Sequence, residues 1–319
     1  MRNALAITII ASLATFLSRP AAAAAATRSA APPVRMSKVA ADTVRARVLA
    51  DREDTKKWLQ TSQTSYLATV QRQDFGDKTA LTVGSAADND VRIIDPAIAE
   101  HLLRVTVAGD SFHVEAVDAS ATFDVKDQAT REAVLAPTTI GAGRFKLRLS
   151  HQRFPAIIVF DPNSAGFRRY KGLEWYPVDF AYRYELPLTP NPAPDTVIIM
   201  STRGNARRAL RVGWFDFMAG GKQCRLEAHR LLEPGVDEKS VSVFFRDATT
   251  GKETYEVGRY VDPEPLADGR WLLDFNLAYN PACAVSEHYN CPIPSKANVL
   301  PVAIRAGEKD AHYVSHAAE

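Results

Sequence analysis

From residue 81 onward the chain is built of short apolar runs that recur about every ten residues, with turn-forming residues between them. That rhythm suits strands of ordinary length and leaves little room for helices. The first set lies at 81–83, 91–94, 102–107, 112–117, 145–149 and 157–160, the last being continuously apolar. Ala108-Gly-Asp joins two of these runs as a hairpin. Pro162, Asn163, Ser164, Gly166 and Gly172 then interrupt the pattern and mark a domain boundary. The second set lies at 178–186, 197–201, 210–217, 224–231, 241–246, 254–261 and 271–275, with Ala219-Gly-Gly-Lys as a hairpin turn. Ahead of both sets, residues 39–60 contain no glycine or proline and place Val44, Val48, Leu49, Trp58 and Leu59 at helical spacing among charges. The expected fold is mainly β: a helix over 39–60, a β-sandwich over 61–160, and a second antiparallel sandwich or barrel over 161–309.

The start of the chain reads as an export signal. Arg2 precedes an uncharged apolar run of 14 residues, 4–17, followed by Arg19-Pro20 and an alanine tract with Ala-x-Ala cleavage sites. The run is shorter than the ~20 residues a membrane helix needs. Residues 1–26 are therefore expected to be removed and 27–38, rich in alanine and proline, to serve as a linker. The expected location is periplasmic or extracellular.

Charge narrows the partners. The chain has 39 basic and 37 acidic residues, and both arginines of the signal, Arg2 and Arg19, leave with it, so 37 of each remain. A neutral chain has no global field to draw nucleic acid or anionic lipid. Arg203, Arg207, Arg208 and Arg211 cluster; strand alternation puts Arg207 and Arg211 on one face and Arg208 on the other, and a solvated surface is expected.

Two resemblances follow from longer motifs. Gly84-Ser-Ala-Ala-Asp-Asn-Asp-Val-Arg-Ile, with His101 and Gly109-Asp-Ser-Phe-His-Val beyond it, resembles the forkhead-associated (FHA) sandwich, which reads phosphothreonine. The arginine that binds phosphate in that family is replaced by Ser85, its serine by Ile98, and no Asn-Gly falls in 120–123. The sandwich shape is carried over; phosphopeptide binding is not, because preorganised cationic donors are missing. The second half resembles the bacterial DUF1684 family. The resemblance rests on Gly172-Leu-Glu-Trp-Tyr-Pro-Val, Phe244-Phe-Arg-Asp-Ala-Thr-Thr-Gly-Lys-Glu-Thr-Tyr, Gly258-Arg-Tyr, Leu273-Asp-Phe-Asn-Leu-Ala-Tyr-Asn-Pro-Ala-Cys-Ala, Tyr289-Asn-Cys-Pro-Ile-Pro and Asn298-Val-Leu-Pro-Val-Ala-Ile-Arg-Ala-Gly-Glu-Lys. It implies no activity.

Polar and aromatic residues are densest in these motifs, so the candidate binding residues come from them. Asp247 opens a turn closed by Gly251, and Glu253, Tyr255 and Val257 are expected on one face of a following strand that ends at Arg259 and Tyr260. Arg246 precedes that turn. Asp274 and Asn276 flank Phe275, Tyr279-Asn280-Pro281 reads as a turn, and a long polar loop follows. Cys283 and Cys291 in this loop admit a disulfide, buried thiols, or a reactive or metal-bound pair. An exported protein favours the disulfide, which would close nine residues and stabilise the fold by ~2.6 kcal/mol. The DUF1684 resemblance tempers it, because members without export signals are implied to keep both cysteines. Cys283, His288 and Cys291 match no standard zinc spacing, so neither metal nor cofactor is expected. His312 and His316 fall in a polar tail, 310–319, read as disordered.

No nucleophile elbow, zinc-protease helix, phosphate loop or dinucleotide fingerprint occurs in the sequence. The reading therefore favours a non-catalytic envelope protein that binds a small molecule, sugar or peptide. Trp175, Tyr176, Tyr182, Tyr255, Tyr260 and Tyr279 would supply contact surface. The alternative is a hydrolase using Asp247, Glu253, Asp274 and the 283–291 loop.

Overall fold

The computed structural model describes residues 30–311. The expected signal segment and all but Asp310 and Ala311 of the expected tail lie outside the described residues. Helix α1 (Lys38–Thr61) matches the predicted helix to within a residue at each end. Ser37 caps it by accepting the Ala40 N–H at 3.3 Å. Its buried face runs through Val48, Arg52 and Leu59. Leu49 and Trp58 are exposed instead, at 48% and 38%. Arg52 stands where an apolar residue is expected and donates to the carbonyls of Tyr176 (3.0 Å) and Asn276 (3.3 Å). A buried guanidinium thus ties the helix to the second half of the chain.

Eleven strands follow: β1 (Thr69–Asp74), β2 (Ala80–Gly84), β3 (Val91–Arg92), β4 (Leu103–Ala108), β5 (Ser111–Ala116), β6 (Phe123–Val125), β7 (Gln128–Thr130), β8 (Glu132–Leu135), β9 (Thr138–Ala142), β10 (Phe145–His151) and β11 (Pro155–Phe160). They form two sheets, β1-β11-β10-β9-β6-β7 and β3-β2-β4-β5-β8. Their inner faces share one core, including Leu81, Val105, Phe112, Val114, Leu147 and Val159. Alternation sets this packing: on β10, Phe145, Leu147, Leu149 and His151 point inward. Gly84 lets β2 pass the next loop, since a Cβ there would lie 2.1 Å from the Glu100 carbonyl oxygen.

β11 explains its own sequence. Ile157 and Val159 enter the sandwich core, while Ile158 and Phe160 face outward into a second cluster with Phe244, Tyr255, Tyr260, Cys283, Tyr289 and Cys291. A strand covered on both faces needs an unbroken apolar run. The strand therefore joins the sandwich to the second half of the chain.

That half begins with the short helix α2 (Ala165–Arg169). It contains β12 (Arg183–Leu186), β13 (Thr189–Met200), β14 (Ala206–Ala219), β15 (Lys222–Leu231), β16 (Val243–Phe245), β17 (Arg259–Val261), β18 (Glu264–Pro265) and β19 (Trp271–Asp274). The sheets are β13-β14-β15, β12-β19-β18 and β16-β17, all antiparallel and none closed into a barrel. Their core gathers Tyr184, Phe215, Phe217, Leu226, Phe245, Leu273 and Phe275. Part of the expected linker is held here: Ala31 pairs with Phe217, and Val34 N–H donates to the Arg183 carbonyl at 2.8 Å. The strand predicted over 254–261 shortens to β17, because Thr249 anchors a compact turn through its carbonyl, which accepts N–H groups from Lys252, Glu253 and Thr254. Among the described residues no helix is long and apolar enough to cross a membrane.

Arg207 is not part of a solvated surface. It is 3% exposed and makes a two-pronged bond to Glu233, Nε to Oε1 at 2.6 Å and Nη2 to Oε2 at 2.7 Å. Its Nη1 donates to the Asn290 carbonyl at 2.8 Å. Arg208 is exposed, as alternation requires.

Candidate functional site

Most of the polar residues of the motifs are bound to one another. Arg259, 1% exposed, spans the carbonyls of Ile304 (2.8 Å), Ala306 (2.5 Å) and Glu308 (3.1 Å) and meets Asp247 Oδ2 at 3.1 Å. Asp247 also accepts the N–H groups of Ile304 (2.7 Å) and Thr249 (3.0 Å). Arg246 donates to the Val257 carbonyl at 2.9 Å. Asp274 pairs with Arg183 and caps the turn 275–277 by accepting Asn276 N–H at 3.0 Å. Asn276 holds the backbone of Asp179 from both sides, accepting its N–H at 2.8 Å and donating to its carbonyl at 2.9 Å. Asp274, Phe275 and Asn276 are all buried, because the chain turns here rather than continuing as a pleated strand.

Tyr255 and Tyr260 are buried, and the Tyr260 hydroxyl donates to the Pro292 carbonyl. Glu253 sits near the surface between Arg305 (2.7 and 2.9 Å) and the Tyr176 hydroxyl (3.0 Å). The hydrogen bonds from these two partners hold its carboxyl down to about 2, while burial and Glu253 push Tyr176 up to about 12.

Cys224, Cys283 and Cys291 are all buried and stand as free thiols in this structure. Cys283 and Cys291 nevertheless touch, and the hydrogen bond to Cys283, followed by burial, pushes the Cys291 thiol well up. The loop carrying them is a wedge between the two halves. Thr202 N–H donates to the Cys291 carbonyl at 2.9 Å, and Tyr289 Oη meets Thr69 Oγ1 at 3.0 Å.

Other residues converge on open space. A cavity of about 370 Å³ lies between α1 and the second half of the chain. Trp58 comes from α1, Tyr66 from the turn after it, Trp175 from the segment after α2, and Tyr279 from the turn that follows β19. Trp58 and Tyr66 meet edge to face, their centroids 4.9 Å apart. Asn276 and Asn280 also line the cavity, as do the acids Asp51, Asp262, Glu264 and Glu308. Glu308 is 5% exposed; its Oε2 accepts Asn280 N–H at 2.8 Å. Burial raises its carboxyl to about 7 against the pull of that N–H, Arg259 and Arg52. Burial also raises Asp51. Gly307 makes the approach of Glu308 possible: its φ is +77°, and a Cβ there would lie 2.4 Å from the Ala278 carbonyl oxygen.

Tyr66 and Val285 connect this cavity to a wider cleft of about 1180 Å³, lined in part by Arg168, Arg169, Tyr176, Lys252, Glu253 and His288. Burial pulls the His288 imidazole down. Of the sequence candidates, Asn276, Tyr279 and Asn280 line the cavity and Glu253 the cleft; Arg246, Asp247, Tyr255, Arg259, Tyr260 and Asp274 line neither. The residues missed were Asp51, Trp58, Tyr66, Asp262, Glu264 and Glu308. The Gly307-Glu308 step inside Arg305-Ala-Gly-Glu-Lys was the available signal for the last.

Residues 168–309 match the model of a family described as protein of unknown function, DUF1684. The solution NMR structure of an uncharacterised protein of Haloarcula marismortui is 35% identical to this chain, over 46% of this chain and 80% of that one, with a TM-score of 0.37. Mycobacterium tuberculosis EmbR, solved in complex with a low affinity phosphopeptide, is 12% identical over 40% of this chain and 32% of its own, with a TM-score of 0.21. Comparison with curated proteins finds no match.

Proposed function

Because the chain belongs to the DUF1684 family through residues 168–309, a family of unknown function, its role must be sought in its own cavity, and we propose a non-catalytic binding protein of the cell envelope that holds a small organic ligand there. The observation that carries this reading is the convergence of Trp58, Tyr66, Trp175 and Tyr279, from four separate segments, on one cavity of about 370 Å³. Concave aromatic walls with a few placed polar groups suit a small ligand. Export rests on the apolar run and alanine tract of residues 1–26.

The hydrolase alternative loses its first set of residues. Asp247, Glu253 and Asp274 are each bound to an arginine, and Asp247 and Asp274 line neither open space. One observation keeps an enzyme in view: Glu308, raised to about 7, is suited to general acid or base work.

Tryptophan fluorescence and thermal shift against a panel of sugars, short peptides, amines and nitrophenyl esters and glycosides test both readings. Binding without turnover, lost in Trp58→Ala, is expected. Turnover of a substrate that disappears in Glu308→Gln would establish the enzyme instead. No response to the whole panel would remove the binding reading.

A further inference from the structure

Resting on the binding reading, the lining chemistry selects the kind of ligand. We infer that the cavity takes a protonated amine carried on a flat or apolar body. Of the four acids at its wall, Glu264 is already paired with Arg47 at 2.7 Å. Asp51, Asp262 and Glu308 form no ion pair among the described residues, although Asp262 accepts from the Ser242 and Tyr279 hydroxyls at 2.7 and 2.8 Å, and the lining residues of the cavity include no lysine, arginine or histidine. The Arg52 guanidinium is bonded to two carbonyls, Arg259 to three carbonyls and Asp247, and Lys56 is paired with Glu53 at 2.7 Å.

An independent observation points the same way. Asn280 lines the cavity, is 6% exposed, and its Oδ1 is buried without a hydrogen-bond partner. A buried acceptor left unpaired is costly and calls for a donor. The amide nitrogen of the same side chain is already committed to the Lys309 carbonyl at 2.6 Å, and the backbone N–H to Glu308. Asn280 therefore offers an acceptor oxygen, and Glu308, near half-ionised at neutral pH, offers another once an ammonium draws it into its carboxylate form; an ammonium with its N–H donors satisfies both and another carboxylate does not.

The aromatic walls suit the rest of such a ligand. Trp58, Tyr66, Trp175 and Tyr279 offer ring faces and edges to an apolar body, and a cation near a ring face is attracted by its quadrupole. Trp175 already shows that affinity within the chain: Lys56 Nζ lies 5.2 Å and the Arg52 guanidinium 5.8 Å from its centroid. A neutral sugar would use the rings equally well but would bring no positive charge to Asp51, Asp262 and Glu308.

The test compares 2-phenylethylamine with its near-isosteric neutral partner 2-phenylethanol, by calorimetry on the full chain at neutral pH. The amine is expected to bind at least about tenfold more tightly than the alcohol, with the preference falling as salt is raised. Asp51→Asn, on the exposed side of α1, is expected to weaken the amine and leave the alcohol unchanged. Glu308→Gln is expected to do the same more strongly, with its thermal melt checking that it folds. Trp58→Ala is expected to weaken both compounds. Equal binding of amine and alcohol, or tighter binding of the alcohol or of a disaccharide, overturns the cation assignment while the binding reading stands. No binding of the amine overturns the cation assignment, and silence of the whole panel as well overturns the binding reading.

Discussion

Asp247 Oδ2 and Arg259 Nη2 meet at 3.1 Å in the interior, with side-chain exposures of 0% and 1%. The pair is a fastening for the segment 304–308: Arg259 takes its carbonyls, and Asp247 takes the Ile304 N–H. Since that segment carries Gly307 and Glu308 to the cavity, the pair acts on the candidate site without touching it.

Asp247→Ala is therefore expected to destabilise the fold by about 3–5 kcal/mol, because it leaves a buried guanidinium uncompensated. Urea unfolding followed by fluorescence measures the loss. A stable Asp247→Ala protein that had merely lost ligand affinity would mean that Asp247 is a contact residue after all.

A second buried pair gives a sharper comparison. Arg207 and Glu233, with side chains 3% and 5% exposed, share two parallel bonds, and Arg207 also reaches the Asn290 carbonyl in the wedge loop. Arg207→Ala is expected to cost about 3–5 kcal/mol. Arg207→Lys should recover only part of this, since an ammonium cannot reproduce the planar fork. Full recovery in the lysine variant, read from denaturant midpoints, would reduce the interaction to simple charge.

The contact between Cys283 and Cys291 makes a bridge between them testable. Cys283 and Cys291 are in contact within the cluster that joins the two halves, while Cys224 belongs to the separate core around Phe217. Mild oxidation of purified protein is expected to leave one titratable thiol under denaturing conditions, against three after reduction. Closing the nine-residue loop should add ~2.6 kcal/mol in the chain-entropy model. Three thiols surviving oxidation would show that the wedge loop holds the sulfurs apart from bonding geometry.

Strands were legible wherever one face or both are buried by regular packing. The alternation of β10 and the unbroken apolar run of β11 announced their own environments. The helix was legible in extent but not in face, because Arg52 occupies its buried stripe and earns its place only through carbonyls more than a hundred residues away. Arg207 was misread for the same reason: its partners Glu233 and Asn290 are set by tertiary structure, which strand alternation cannot supply. Dense polar motifs marked the family segment but concealed the division of labour within it. Asp247 and Arg259 turn inward to hold backbone, whereas Asn280 and Glu308, from the same motifs, line the cavity. Trp58 joins them from far upstream.

Glu308 gives the cavity a pH signature. Between the ordinary value of 4.5 and about 7 the folded chain keeps a proton on Glu308 that the unfolded chain has released. Over that window the folded state binds more protons, so the contribution of this group to stability falls as pH rises and levels off above about 7. The shift corresponds to about 3 kcal/mol across the window. His229 and His288, both pulled down by burial, work in the opposite direction below 6.5, so the wild-type curve alone mixes the effects. Glu253, held down to about 2, acts in a lower window: its contribution is present above 4.5 and is lost as pH falls through 2. Subtracting the stability of Glu308→Gln from that of the wild type at each pH cancels the histidines and isolates Glu308. The difference is expected to move against the wild type by about 3 kcal/mol from pH 4.5 to pH 7.5, read from urea midpoints. A difference that stays flat across that range would mean that Glu308 ionises as an ordinary solvated glutamate, and that the cavity wall at Asn280 is wet rather than sealed.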